Sequence, residues 1–294
     1  MKTSTIEGPR PKNVSIARIG VYCFLIICSL FFLMPLYIMI ITSLKDMEEI
    51  RQGNLFYLPK NLSTYAWPKA WGTACTGFVC EGLKPGLLNS FKITIPSVIV
   101  SVSLAAINGY ALSFWRFKGS YFFFGLCIFG AFIPYQVMIY PLLRIENILG
   151  IYSSIPGIVL VHTIFGMPIL TLIFRNYYSN LPIDLFKAAR IDGGSFLKIF
   201  FYVILPMSTP IMIVAVILQI TGIWNDFLLG LVFAGRENQP MTVQLNNIVQ
   251  VDFGVAEYNV DMAATILTSL VPLLVYFFSG KLFVRGIAAG ALKG

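Results

Sequence analysis

Six long apolar stretches separated by polar segments dominate the chain: 19–41, 91–114, 121–142, 155–174, 202–224 and 262–282. Each is close to the ~20 residues that an α-helix, rising ~1.5 Å per residue, needs to cross ~30 Å of hydrocarbon. No run shows the in–out alternation of a barrel strand, and a helix closes its own backbone hydrogen bonds in lipid. The pattern therefore predicts an all-α, polytopic membrane protein with six transmembrane helices. Pro35, Pro96, Pro134, Pro141, Pro156, Pro168, Pro206 and Pro210 lie in or beside the stretches. Such prolines kink membrane helices, either beside a pathway or as packing irregularities. The expected organisation is a tail at 1–18, a spanning region at 19–282 and a tail at 283–294. Outer loops fall at 43–90 and 225–261, and the main inner loop at 175–201.

Composition narrows the class. Only 12% of the 294 residues are charged and 57% are apolar, against about 25% charged in an average soluble domain. Too little polar surface remains to coat a soluble enzyme, and too much apolar surface for a disordered chain. A net charge of +8 would suggest nucleic acid in a soluble protein, but most of the basic residues fall on one side of the membrane pattern. Lys2, Arg10, Lys12 and Arg18 precede the first stretch, and Arg116 and Lys118 follow the second. Arg175, Lys187, Arg190 and Lys198 lie between the fourth and fifth, and Lys281, Arg285 and Lys293 end the chain. The positive-inside rule then makes both termini cytoplasmic, and no nucleic-acid partner is needed. No small-residue cleavage site follows the first stretch, which reads as a retained span. On the opposite side, Asp226, Glu237, Asp252, Glu257 and Asp261 face Arg236 alone in a loop long enough to protrude and touch something outside.

The remaining chemistry is sparse. Cys75 and Cys80 lie five apart around Gly77 in the first outer loop; an oxidising compartment favours a local disulfide over two free thiols. No neighbouring Cys or His makes a metal set, whereas Cys23, Cys28 and Cys127 read as packing residues. His162 reads as a satisfied buried histidine, since a proton relay needs carboxylates and the fourth stretch has none. No phosphate loop of the G-x-x-x-x-G-K-[ST] type and no nucleophile–base–acid set occur, so the chain is expected to be no enzyme. A secondary carrier, the distant alternative, needs inverted repeats and intramembrane charges that are not evident.

The segment 180–195 reads as a short helix with Asn180 as cap, Pro182 in the first turn and Asp184 at the positive end of the dipole. Lys187 and Arg190 lie toward the other end, and Asp192, Gly193 and Gly194 form the stop. Leu181, Leu185, Ala188 and Ala189 share one side, with Ile191 near its edge. That face suits a partner's groove or lipid headgroups equally. The stretch resembles the "EAA" loop of ATP-binding-cassette importer permeases: Glu-Ala-Ala, three residues, Gly, nine residues, Ile-x-Leu-Pro. Ala188, Ala189, Gly193, Leu205 and Pro206 match, and Val203 replaces the isoleucine. The sugar-permease form Ala-Ala-Arg-Ile-Asp-Gly is intact at 188–193, but Lys187 stands where the family has glutamate. Further matches are Asn89 and Ser90, Arg116 to Gly119, Ile133 to Gln136, Pro141 and Leu142, and Trp224 to Phe227. The tail at 283–294 resembles the six-span subunit of the maltose-type carbohydrate permeases, and the cysteine-bearing loop the glucose/mannose branch.

The resemblance implies the type I ABC importer permease fold in the bacterial inner membrane. Its implied partners are a second homologous permease, two ATP-binding-cassette ATPase subunits that hold ATP and Mg, and a periplasmic solute-binding protein. This chain itself would hold no cofactor. Asp184, Lys187, Ala188, Ala189, Asp192 and Gly193 would couple to the ATPase. Tyr135, Gln136, Tyr140 and Asn225, near the proline-marked ends of helices, are candidates for the sugar pathway. A glucose, mannose or glucoside cargo is implied, with glycerol phosphate or oligosaccharide as alternatives.

Overall fold

A computed structural model describes residues 16–76, 79–115, 117–250 and 256–291, with side chains as far as residue 280. Gly77, Arg116, Asp252, the tail before residue 16 and the side chains of the 283–294 motif lie outside the described residues. Among the described residues the secondary structure is helical, apart from an isolated antiparallel bridge between Thr76 and Val79. The chain begins with α1 (Ile16–Ser43), followed by the short α2 (Met47–Gln52) and α3 (Ala66–Gly72). Next come α4 (Lys84–Tyr110), prolonged by a π-helical turn at Ala111–Trp115, then α5 (Ser120–Phe132), α6 (Tyr135–Leu149) and α7 (Ile155–Ser179). The segment after α7 contains α8 (Ile183–Ile191), α9 (Phe196–Ile199), a second π-helical turn at Phe200–Ile204 and α10 (Leu205–Met207). The remainder is α11 (Thr209–Trp224), α12 (Leu228–Phe233), α13 (Met241–Val249) and α14 (Tyr258–Ala291).

Four of these helices are long and apolar enough to cross a bilayer by themselves: Ile16–Ser43, Lys84–Trp115, Ile155–Ser179 and Tyr258–Gly280. The third and fifth apolar stretches are instead bent pairs, α5 with α6 at 108° and α9–α10 with α11 at 83°. Counted as one span each, they bring the total to six. Proline chemistry explains both bends. Ile133, just before Pro134, is extended at φ −69° and ψ 125°, because the proline ring excludes the helical region for its predecessor. At the second bend Pro210 has no N–H for the carbonyl of Pro206, and the Thr209 hydroxyl donates to that oxygen instead at 3.0 Å.

Packing centres on α4 against α7. A Cβ on Gly109 would lie 2.7 Å from Cβ of Phe174, so only glycine lets the two helices approach this closely. Their buried seam includes Ala105, Ala106, Val161, Leu170 and Phe174. By contrast α1 packs along α14 and is otherwise exposed for most of its length. A second, smaller core joins the 43–90 and 225–261 segments: Ala66 and Ala70 of α3, Met241 and Ile248 of α13, and Val260, Ala263 and Ala264 of α14 surround Trp224. Lys69 pairs with Glu257 at 2.5 Å, and the Asn259 amide donates to the carbonyl of Lys45 at 3.0 Å. The 225–261 loop, expected to protrude, is therefore folded back over its described length. Burying α13 against α4 and α14 removes more apolar surface from water than an extended loop would. Cys23, expected to pack, is exposed on α1.

Candidate functional site

The short helix α8 is held by an aromatic knot. Phe186 is only 8% exposed; its ring stacks on Phe114 at 4.9 Å and meets Trp115 edge-on at 5.8 Å. Tyr110, fully buried, lies among Phe114, Phe186, Phe196 and Phe200. Its hydroxyl donates to the carbonyl of Phe196 at 3.2 Å. The Arg190 guanidinium sits 4.6 Å above the Trp115 ring, a cation–π contact that ties the far end of α8 to the same knot. Phe114, Trp115 and Phe200 all come from the two π-helical turns, whose extra residue per turn redirects side chains.

This arrangement revises the helix expected from the sequence. Asn180 does not cap α8: its side chain donates back to the carbonyl of Asn176 at 3.0 Å and closes α7. Leu181 and Ala189 turn toward the core, so the outward face is Ile183, Leu185, Ala188 and Ile191, with Asp184 and Lys187 beside them. Lys187 lies 3.4 Å from Asp184, one turn away, and the reversed charge is met within the helix. The stop is a Schellman turn: Gly193 has φ +79° and Gly194 N–H donates to the carbonyl of Ala189 at 2.9 Å. Asp192 and Gly193 are exposed beside it. Phe186 was missed because its partners lie in other segments, and no periodicity within one stretch marks them.

A cavity of about 520 Å³ opens beside the 108° bend, lined in part by Tyr135, Phe165, Asn225, Asp226 and Phe227. Tyr135 meets Phe165 edge-on at 6.3 Å. The structure thus brings Tyr135 and Asn225 together on one cavity, whereas Gln136 and Tyr140 point elsewhere and are exposed, Tyr140 by 68%. Asp226 is an addition: its carboxylate accepts from the N–H groups of Leu229 at 3.2 Å and Gly230 at 2.8 Å, capping α12. Burial pushes its pKa up, and those two N–H bonds oppose the shift. His162 Nε2 lies 4.0 Å from the same carboxylate, so the partner that the fourth stretch lacks is supplied by the loop. Glu146, which follows the third stretch, is fully buried and accepts no hydrogen bond from the described residues. It lies beside Gly157 in the first turn of α7, where the helix dipole favours negative charge.

Two features of the 43–90 and 225–261 segments complete the picture. Cys75 and Cys80 are joined as a disulfide. Asn89 and Ser90, near the start of α4, bond to residues 237–241.

Residues 97–289 match the family described as binding-protein-dependent transport system inner membrane component. The "Probable ABC transporter permease protein PH1216" of Pyrococcus horikoshii is 45% identical over 170 residues, which are 58% of this chain and 61% of that protein. The "Glucose import system permease protein GlcU" of Saccharolobus solfataricus is 30% identical over 285 residues, 93% of this chain and 95% of the relative. The fold is similar to a chain in the crystal structure of a bacterial ABC transporter involved in the import of the acidic polysaccharide alginate. The TM-score is 0.76 at 21% identity, covering 93% of this chain and 100% of that one.

Proposed function

The chain belongs to the family of binding-protein-dependent transport system inner membrane components, and on that premise we propose that it is the six-span permease subunit of an ATP-binding-cassette sugar importer. The observation that carries this reading is α8: a nine-residue helix with an exposed apolar face, locked to the spanning helices by the Tyr110–Phe186 knot. Asp184, Lys187, Ala188, Ala189, Asp192 and Gly193 form its coupling surface for a separate ATPase subunit. Two ATPase copies holding ATP and Mg, a second permease and a periplasmic solute-binding protein complete the assembly. Both termini are cytoplasmic on the positive-inside count, which sets α8 on the ATPase side and the 225–261 loop on the binding-protein side. The domain limits follow: tails at 1–18 and 283–294 around a permease domain at 19–282.

The cargo is read as an uncharged sugar, glucose, mannose or a glucoside. Aromatic faces with a few polar groups suit a polyol, and Tyr135, Phe165, Asn225 and Asp226 supply both. Among the described residues no lysine or arginine lines this cavity, and the Asp226 carboxylate disfavours a phosphate ester such as glycerol phosphate through like charge. The name of the glucose-import relative supports the same class.

Purification of the tagged chain from its native membrane is expected to bring down an ATPase and a second permease. Reconstituted vesicles should take up glucose or mannose only with ATP and the solute-binding protein present. Uptake by the pure single chain without ATP would overturn the reading, and stimulation by glycerol 3-phosphate but not by sugars would overturn the cargo.

A further inference from the structure

The inner-loop helix α8 and the last outer loop meet opposite ends of one helix. From Lys84 to Trp115 the second span runs unbroken for 32 residues, about 48 Å at 1.5 Å per residue. At one end Tyr110, Phe114 and Trp115 grip α8 through Phe186 and Arg190. At the other, three polar groups hold the loop that carries α13. Asn89 Nδ2 donates to the carbonyls of Glu237 at 2.9 Å and Gln239 at 3.3 Å. Ser90 Oγ accepts from Met241 N–H at 2.9 Å, capping α13 from a different segment. The N–H of Gly86 donates to Gln244 Oε1 at 2.7 Å, and a Cβ on Gly86 would collide with that side chain. Asn89 and Ser90 are both buried, where an amide or hydroxyl is costly unless bonded. Asn89 spends its bonds on backbone carbonyls, so it fixes the position of the loop whatever side chains the loop bears.

A second route between the two loops, along the chain itself, is bent. From α8 through α9, α10 and α11 the chain reaches Asn225 only after the 83° break at Ser208. That path changes direction at this break, whereas α4 joins the two contact surfaces by one continuous helix.

We propose that α4 is the strut that transmits movement between α8 and the last outer loop, and that Asn89 is the positioning residue that latches this loop to it. The inference rests on the importer reading: ATPase closure shifts α8, and α4 delivers the shift to the surface facing the solute-binding protein. Reciprocally, docking of that protein is felt at the ATPase, since coupling between sites works in both directions.

The test uses the complete transporter, both permeases with ATPases and solute-binding protein, in vesicles. Asn89→Asp keeps the side-chain shape but sets a carboxylate oxygen against two carbonyls. It is expected to lower the melting midpoint while leaving assembly and the basal ATPase rate within about twofold of the parent. Stimulation of ATPase by the sugar-loaded binding protein should fall about tenfold, inside the roughly 5–150-fold range of allosteric couplings. Ser90→Ala, losing one bond, should move stimulation the same way by less, and it decides the matter should Asn89→Asp not assemble. Retained stimulation in the assembled variants overturns the proposal. So does a parallel fall of basal rate, stimulated rate and melting midpoint, which marks a purely structural role. A parent complex lacking binding-protein-stimulated ATPase would instead remove the importer reading, and this inference with it.

Discussion

Gly193 and Gly194 end α8 for different reasons, and substitutions separate them. Gly193 has φ +79° but open space around a would-be Cβ, so its requirement is conformational, about 1–2 kcal/mol for an ordinary residue. Gly193→Asn, which tolerates this region, should keep coupled uptake, and Gly193→Val should lose most of it in the same vesicle assay. At Gly194 the backbone is unstrained, but a Cβ would lie 2.6 Å from the carbonyl of Ala189 and 2.7 Å from Ile199. Gly194→Ala should therefore disturb α8 more than Gly193→Ala does, read as loss of ATPase co-purification. Only the first requirement was visible in the sequence; the second depends on how α9 returns. Phe186→Ala removes the anchor itself, at a cost of about 3–5 kcal/mol for a buried phenylalanine. Its expected result is intact basal membrane insertion with ATPase binding lost. Lys69 and Glu257 make a milder case. The Glu257 hydrogen bond raises the lysine above its ordinary value of 10.5, so the pair contributes in full below that pH and is lost only above it. Being partly exposed, it contributes no more than about 1 kcal/mol, and thermal melts should show no dependence on Lys69 ionisation between pH 6 and about 9.

Among the elements, apolar length located every spanning segment but not its shape. The second and fourth stretches are continuous helices, whereas the third and fifth break at Ile133 and Ser208. Prolines 134, 206 and 210 marked these places, yet Pro96 and Pro168 lie inside helices that continue past them. Neighbouring packing decides which proline bends its helix, because freed carbonyls persist only where another donor, such as the Thr209 hydroxyl, meets them. The bend at Pro134 positions Tyr135 on the cavity. Pro134→Ala restores an N–H and favours continuation of α5, so sugar uptake should fall through a higher KM more than through kcat. A parallel drop in ATPase assembly would assign the bend a structural role instead. Asp226→Asn should loosen α12, replacing an acceptor by a donor opposite the N–H groups of Leu229 and Gly230. Hydrogen exchange at 228–233 should rise accordingly.

For the whole molecule, the asymmetry of charge predicts that both termini are cytoplasmic, so reporters active only in the cytoplasm are expected to work at either end. The sequence by itself determined the solvent of the protein, the number of apolar stretches and the place of the α8 loop. These follow from quantities that accumulate along the chain: apolar length against bilayer thickness, basic residues per loop, and turn residues at fixed offsets. Tertiary structure alone decided what the few polar groups do. Asn89 and Glu237, 148 residues apart, meet because α13 folds back onto the start of α4. His162 finds Asp226 across two elements, and Phe186 finds Tyr110. Each of these pairings joins segments with no shared periodicity, and in a low-dielectric interior a polar group is defined by its partner across space.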